Sequence, residues 1–249
     1  MLHARPSEQW QPAGLLLRPS YAKQIRLMQA DAYIFDIDGT LLVTRDLVHW
    51  NALRRAMLDV YGVDTSIEGI PYHGMTDILI LRAALTRAGL SLPEINRRLS
   101  DALKIIQTDV VANGASLVAE ACASVPVLLH ELEKRGKLLT VASGNLESVG
   151  WEKIKAAGLR GYFQFGSFGD VLDTRVAIFQ QACKQVRDKL GSFARVCFIG
   201  DTPNDVLAAR ATSANVIAVS TGGYSYDELV VSQADLCCHS CAELLGQLS

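Results

Sequence analysis

Residues 32–40 read Ala32-Tyr33-Ile34-Phe35-Asp36-Ile37-Asp38-Gly39-Thr40, and this stretch decides the fold. Four apolar residues of β character stop abruptly at two aspartates, a glycine and a threonine, the pattern of a buried strand that runs into a functional turn. The strand is too short and too apolar to be half-exposed, so a sheet covered on both faces is expected around it.

Working outward, the chain changes character twice. Residues 45–120 read as helical almost throughout. Leu47, Trp50, Leu53, Met57 and Val60 recur at three- and four-residue steps with Arg54 and Arg55 opposite, which gives one apolar face. Ile78–Ala88 and Pro93–Asn113 repeat the pattern, with stops at Gly89 and Gly114. After this module, helix and strand alternate. Pro126–Arg135, Leu146–Ala157, Arg175–Lys189 and Asp205–Ala211 are predicted helices, and Leu138–Val141, Tyr162–Phe165, Val196–Ile199 and Val216–Val219 predicted strands. That alternation predicts an α/β fold, a Rossmann-like doubly wound parallel sheet with an inserted small α-helical cap domain. The expected division is an N-terminal extension at 1–30, with a short helix over Tyr21–Ala30, a core formed by 31–44 and 121–249, and a cap at 45–120.

The whole composition agrees with this. A chain of 249 residues accommodates one large domain or a core with a smaller insert, at about 150 residues per domain. Hydrophobic residues make up 49% and charged residues 20%, which excludes disordered, collagen-like and disulfide-stapled classes. With 24 basic and 26 acidic residues the net charge is −2, so no basic footprint for nucleic acid or an anionic membrane exists. No apolar run approaches the roughly 18 to 20 residues of a membrane span, and Met1–Pro12 lacks the apolar core of a secretory signal. A cytoplasmic location is expected, with monomer and homodimer both open. Of the six cysteines, Cys237, Cys238 and Cys241 flank His239 and suggest zinc. A structural zinc site needs a second pair of ligands some distance away, and none is present. A final strand turning into the last helix is the expected reading.

In open parallel sheets, ligands bind beyond the carboxyl ends of the strands. Successive strands here lead into Asp36-Ile37-Asp38-Gly39-Thr40, Ser143-Gly144-Asn145, a loop reaching Arg175, and Gly200-Asp201-Thr202-Pro203-Asn204-Asp205. Singly, each is an ordinary turn or helix cap. Together they deliver carboxylates, a hydroxyl and a cation to one rim. The first motif is not a calcium loop, because Leu41 stands where that loop needs glycine. Converging carboxylates require a cation, and an all-oxygen set suits Mg2+, which also takes a phosphate oxygen. With phosphate present, Asp36 could attack phosphorus and Asp38 could serve as general acid and base. Ser143, the backbone around Gly144 and Arg175 would then hold the phosphoryl oxygens, with Gly39, Thr40 and Asn145 as further substrate-binding candidates.

These motifs resemble those of the haloacid dehalogenase-like hydrolase superfamily over Tyr33 to the C-terminus. Phe35-Asp36-Ile37-Asp38-Gly39-Thr40-Leu41 matches its first motif, Ser143 its second, Arg175 its third and Gly200-Asp201-Thr202-Pro203-Asn204-Asp205 its fourth. The resemblance implies that Asp36 is the nucleophile and Asp38 the acid/base. It implies that Mg2+ is held by Asp36, the Asp38 carbonyl and Asp201, with Asp205 direct or through water. The insert looks like the cap of phosphoglycolate-phosphatase-like and β-phosphoglucomutase-like members, which makes His49, His73 and Thr76 cap-side substrate candidates. Arg175-Val176 departs from the Lys-Pro common in that branch; a planar fork replaces a point charge. The function implied is a Mg2+-dependent phosphatase acting on a small-metabolite phosphomonoester through an aspartyl-phosphate. A phosphomutase and a non-catalytic binding protein on the same fold are the alternatives.

Overall fold

The computed structural model describes residues 29–248. The readings placed on Met1–Ser20 and on most of Tyr21–Ala30 lie outside them. The strand that opened the reading, β1 (Ala32–Phe35), sits at the middle of a six-stranded parallel sheet. Its partners are β4 (Leu138–Ala142) on one side and β6 (Val196–Gly200) on the other. Beyond β4 lies β5 (Gly166–Ser167), and beyond β6 lie β7 (Asn215–Val219) and β8 (Leu236–Cys238). The connections therefore leave β1 in opposite directions, which opens a crevice at the carboxyl ends beside it.

Strand alternation explains the layers. Tyr33 and Phe35 point to one face, where they share a core with Leu128, Leu129 and Leu132 of α5 (Val125–Lys134) and Leu244 of α10 (Cys241–Leu248). Ala32 and Ile34 point to the other, against Ile178, Phe179 and Val186 of α7 (Arg175–Leu190) and Val206 of α8 (Pro203–Ala211). Both faces are thus covered, and β1 is buried along its whole length, as its unbroken apolar run requires.

The helices α1 (Val48–Tyr61), α2 (Asp77–Arg87), α3 (Leu92–Arg97) and α4 (Leu99–Ala112) pack around a third core. The apolar face read from Leu53, Met57 and Val60 is buried there, while Leu47 is exposed. Leu146 and Val149 at the start of α6 (Glu147–Ala156) join the same cluster, so this module rests on the sheet through α6. A two-stranded antiparallel ribbon, β2 (Leu42–Thr44) with β3 (Ala119–Ala121), ties together the segments that enter and leave it.

Three details differ from the sequence reading. The strand expected at Tyr162–Phe165 is a 3-10 turn over Arg160–Tyr162 followed by β5 at Gly166–Ser167. Phe163 is drawn instead into the core, edge-on to Phe35 at 6.2 Å between ring centroids. The helix expected over Pro93–Asn113 breaks at Arg98 into α3 and α4. A further helix, α9 (Tyr226–Val231), starts at a capping box in which Ser225 and Glu228 satisfy each other's backbone N–H. Cys237–Cys241 forms the expected strand and turn into α10, and none of these cysteines belongs to a group able to hold a metal among the described residues. No helix among those residues is long and apolar enough to cross a membrane.

Candidate active site

The carboxyl ends of β1, β4 and β6 open into one chamber of about 510 Å3 between the sheet and the helical module. Asp36, Asp38, Gly39, Ser143, Gly144, Asn145, Arg175 and Asp201 line it from the sheet side, and His49, His73 and Met75 from the module.

Asp36, Asp201 and Asp205 are all buried, and each offers an oxygen within 4.8 Å of the others. Arg175, at the first position of α7, lies between them. Its Nε and Nη2 donate to Asp205 Oδ1 at 2.7 and 2.5 Å, and Nη2 lies 2.5 Å from Asp36 Oδ1. The last is a close ion pair whose angles do not make a hydrogen bond, so that oxygen of Asp36 keeps no aligned donor. The other oxygen of Asp205 accepts from the N–H and the hydroxyl of Thr202, which caps α8. Asp205 is therefore fully engaged by protein donors and anchors Arg175.

Burial raises the Asp36 carboxyl above the ordinary range, and its negative neighbours Asp205 and Asp38 add to that against the pull of Arg175. Burial, with repulsion from Asp36 and Asp205, also raises Asp201 well above the ordinary range. Arg175 is held protonated: burial opposes its charge, but Asp205 and Asp36 outweigh it. Asp201 receives one hydrogen bond, from Thr40 Oγ1 at 3.0 Å, and sits in a slot between two glycines. A Cβ on Gly39 would lie 2.4 Å from Asp201 Oδ2, and one on Gly222 only 1.8 Å. Gly39 also has a φ of +82°, so both space and backbone demand glycine at that turn. Carboxylates pushed upward in this way, one with an orphan oxygen and one in a tight cradle, form a donor set suited to a hard divalent cation.

Asp38 is held differently. Lys153 Nζ donates to both of its oxygens at 2.9 Å, and Asn145 Nδ2 donates to Oδ2 at 2.6 Å. Lys153 also donates to Asn145 Oδ1 at 3.0 Å, while Asn145 Nδ2 reaches Ser143 Oγ at 2.9 Å. Its surroundings alone would raise Asp38, but the Lys153 ammonium and these hydrogen bonds leave it below the ordinary carboxylate value. Sequence reasoning missed Lys153. It was legible as a lysine at i+4 from Val149 and i+3 from Gly150, on the buried stripe of α6.

Ser143 is free of the helix-capping duty its position suggests. The first N–H groups of α6 are met instead by Asp77 Oδ2, from Leu146 N at 2.9 Å, and by Asp170, from Glu147 N at 2.8 Å. Gly144 is where the helical module presses on the core: a Cβ there would lie 2.3 Å from the Met75 carbonyl oxygen, and its own carbonyl accepts from Asp77 N–H. His49 Nε2 faces Asp77 Oδ1 at 3.3 Å. His73 lies tilted against Tyr72, with centroids 4.5 Å apart, and packs on Gly223. Thr40 and Thr76, expected to touch substrate, do not line the chamber. The Thr40 hydroxyl is turned to Asp201, and that of Thr76 caps α2 by accepting from Leu79 N–H while donating to the Asp173 carbonyl. Both are fully buried, so their hydroxyls support the site from behind.

The parallel α/β core, with a helical module over a chamber lined by buried carboxylates, is the architecture of a family of hydrolases. Residues 30–212 match the family model of the haloacid dehalogenase-like hydrolases, and the chain belongs to that family. It is 28% identical to a phosphoglycolate phosphatase of Synechococcus elongatus over 86% of this chain and 95% of that one. A phosphoglycolate phosphatase of Caulobacter vibrioides is 25% identical over 83% and 85%. Among solved structures, CbbY from Rhodobacter sphaeroides in complex with phosphate superposes with a TM-score of 0.67 at 20% identity, covering 88% of this chain and 99% of that one.

Proposed function

We propose that this hydrolase is a Mg2+-dependent phosphatase that cleaves a small-metabolite phosphomonoester through an aspartyl-phosphate on Asp36. The observation that carries the proposal is the meeting of Asp36, Asp201 and Arg175 in one chamber: carboxylates calling for a cation stand beside a guanidinium able to meet an anion. The phosphatase names of the two curated relatives support it.

Asp36 and Asp201 would hold the metal, with Asp205 behind them. When bound, Mg2+ neutralises the carboxylates and withdraws charge from a phosphate oxygen. Arg175 and Ser143 hold the other phosphoryl oxygens, beside Gly144, which lines the same chamber. An oxygen of Asp36 attacks phosphorus, the bond from phosphorus to the ester oxygen breaks, and Asp38 passes a proton to that oxygen so that an alcohol leaves. In the second half Asp38 takes a proton from water as the water attacks phosphorus, which releases phosphate and restores the Asp36 carboxylate. The grip of Lys153 and Asn145 favours the ionised form of Asp38 that this second half needs. A substrate arriving as the phosphate monoanion, whose last pKa is about 6, supplies the proton for the first half.

The helical module serves in this reading as the cap, closing on the core where Met75 meets Gly144 and excluding water. The test is Asp36→Asn: loss of all phosphate release from a generic ester, with the fold intact by circular dichroism, is expected, and retained turnover refutes the mechanism. Transfer of phosphate to a sugar hydroxyl rather than to water would favour the mutase reading.

A further inference from the structure

The phosphate end of the chamber carries positive charge, but the wall around the departing group is largely apolar. Trp50 and Leu53 of α1, Ile67, Tyr72 and Met75 of the connection that follows, and Ile80 of α2 form it. Trp50 and Tyr72 meet edge to face at 6.0 Å, an aromatic corner open to the cavity. The arginines of this module are turned elsewhere. Arg54 pairs with Asp64, Arg55 with Asp59 and Asp109, and Arg82 with Asp173. Arg87 and Arg98 donate to backbone carbonyls.

No arginine or lysine of residues 45–112 lines the chamber among the described residues. Lys153 is committed to Asp38, and Arg175, between Asp36 and Asp205, is the cation that the phosphoryl group itself takes in the proposed function. His49 faces the Asp77 carboxylate, and His73 packs on Gly223 on the core side. Asp46 and Asp77 both stand in the lining. A second anionic group on the substrate would therefore meet apolar side chains and two carboxylates, with no arginine or lysine among the described residues left to receive it, and burying an unpaired charge there weakens binding. A two-carbon leaving group would also leave most of the chamber's 510 Å3 empty, a volume in the range that encloses a ring-sized ligand.

From this we infer that the half of the substrate that leaves is uncharged and carries an apolar or aromatic face, unlike the carboxylate of phosphoglycolate. This inference rests on the phosphatase reading and adds a substrate class to it. The side chains that select are Trp50, Leu53, Ile67 and Tyr72, and they do so by contact and by offering no counter-charge.

The experiment compares kcat/KM for phenyl phosphate, 4-carboxyphenyl phosphate and phosphoglycolate, followed as released phosphate with Mg2+ present. The carboxylated phenol is the better leaving group, so a preference for phenyl phosphate over 4-carboxyphenyl phosphate has to come from recognition; glycolate leaves less readily than phenol, so the phosphoglycolate arm is read from its change in the arginine variants. The wild type is expected to favour phenyl phosphate at least tenfold over both anionic esters. In Trp50→Arg the ratio is expected to move at least tenfold toward the carboxylated esters; Leu47→Arg, at an exposed position of the same wall, is made in parallel in case that variant does not fold. Equal or reversed wild-type preference, or a ratio unmoved in a folded arginine variant, overturns the inference while the phosphatase reading stands. No phosphate from any of the three esters overturns the phosphatase reading, and this inference with it.

Discussion

Replacing Lys153 by methionine isolates the contribution of the ammonium that grips Asp38. The substitution keeps most of the stem that packs in α6 and removes three hydrogen bonds, two to Asp38 at 2.9 Å and one to Asn145 at 3.0 Å. A hydrogen bond to a charged group contributes about 1.5–3 kcal/mol, but two effects reduce the loss of stability. The Asp38 side chain is 41% exposed, so solvent screens its charge once the partner is gone, and the folded protein no longer desolvates an ammonium. The net cost is about 1 kcal/mol, a fall in Tm of roughly 2–4 °C for a chain of this size. Activity should suffer more. With Lys153 gone, Asp38 keeps only Asn145 as a side-chain partner, and misplacing a proton-transfer group by about 1 Å costs about 10²-fold in rate. Such a loss corresponds to about 2.7 kcal/mol of transition-state stabilisation.

The effect depends on how much the departing oxygen needs a proton. An alkyl phosphate needs it most, so kcat/KM for an alkyl ester should fall about 10²-fold, while an aryl ester with a stable phenolate should lose about tenfold or less. Steady-state phosphate release at saturating Mg2+ measures both. Equal losses on the two esters would show that Lys153 acts on the phosphoryl group and not through Asp38; unchanged rates would deny it any part in the reaction.

Three other outcomes follow from the same geometry. Gly222→Ala places a methyl group 1.8 Å from Asp201 Oδ2, so Asp201 must shift; the Mg2+ concentration for half-maximal activity should rise at least tenfold, and an unchanged Mg2+ titration would refute the cradle. Asp205→Asn removes the main counter-charge of the buried Arg175, and breaking such a pair costs about 3–5 kcal/mol; a Tm within 2 °C of wild type would contradict that account. The third concerns pH. The folded value of Asp36 lies above its ordinary 3.8, at about 7, and Asp201 is also raised. At these two carboxyls the metal-free folded state binds more protons than the unfolded chain, and the stability they contribute is lost as pH rises from about 4 to 7. Mg2+ binding favours the ionised forms, so the gain in Tm on adding it should be larger at pH 8 than at pH 5; an equal gain at both, in differential scanning fluorimetry, would refute the coupling.

What the sequence could disclose followed from how locally each feature is determined. β1, β4, β6 and β7 are runs of four or five mostly buried residues, and a strand covered on both faces has to be apolar throughout, so it shows in any window. β5 has two residues, one of them glycine. It carries no β-branched signal, and the neighbouring Phe163, which does look strand-like, belongs to the core. The break at Arg98 uses neither glycine nor proline; the signal before it is Ile95, wholly buried in the core of the module. The site divides in the same way. Asp36, Ser143 and Asp201 follow apolar strands directly, and topology alone carries them to one rim.

Side-chain destinations within the rim are another matter, because they are settled by partners distant in the chain. The hydroxyl of Thr40 turns to Asp201, 161 residues away. The Thr76 hydroxyl reaches the backbone at Asp173. Lys153 crosses 115 residues of sequence to Asp38. Of these, only Lys153 left a local trace, because a charge on the buried stripe of a helix is costly unless it is paired. A lysine at such a position already implies a carboxylate opposite. In a chain whose first strand ends in two aspartates, of which Arg175 can reach one, the remaining aspartate is the partner that such a lysine needs.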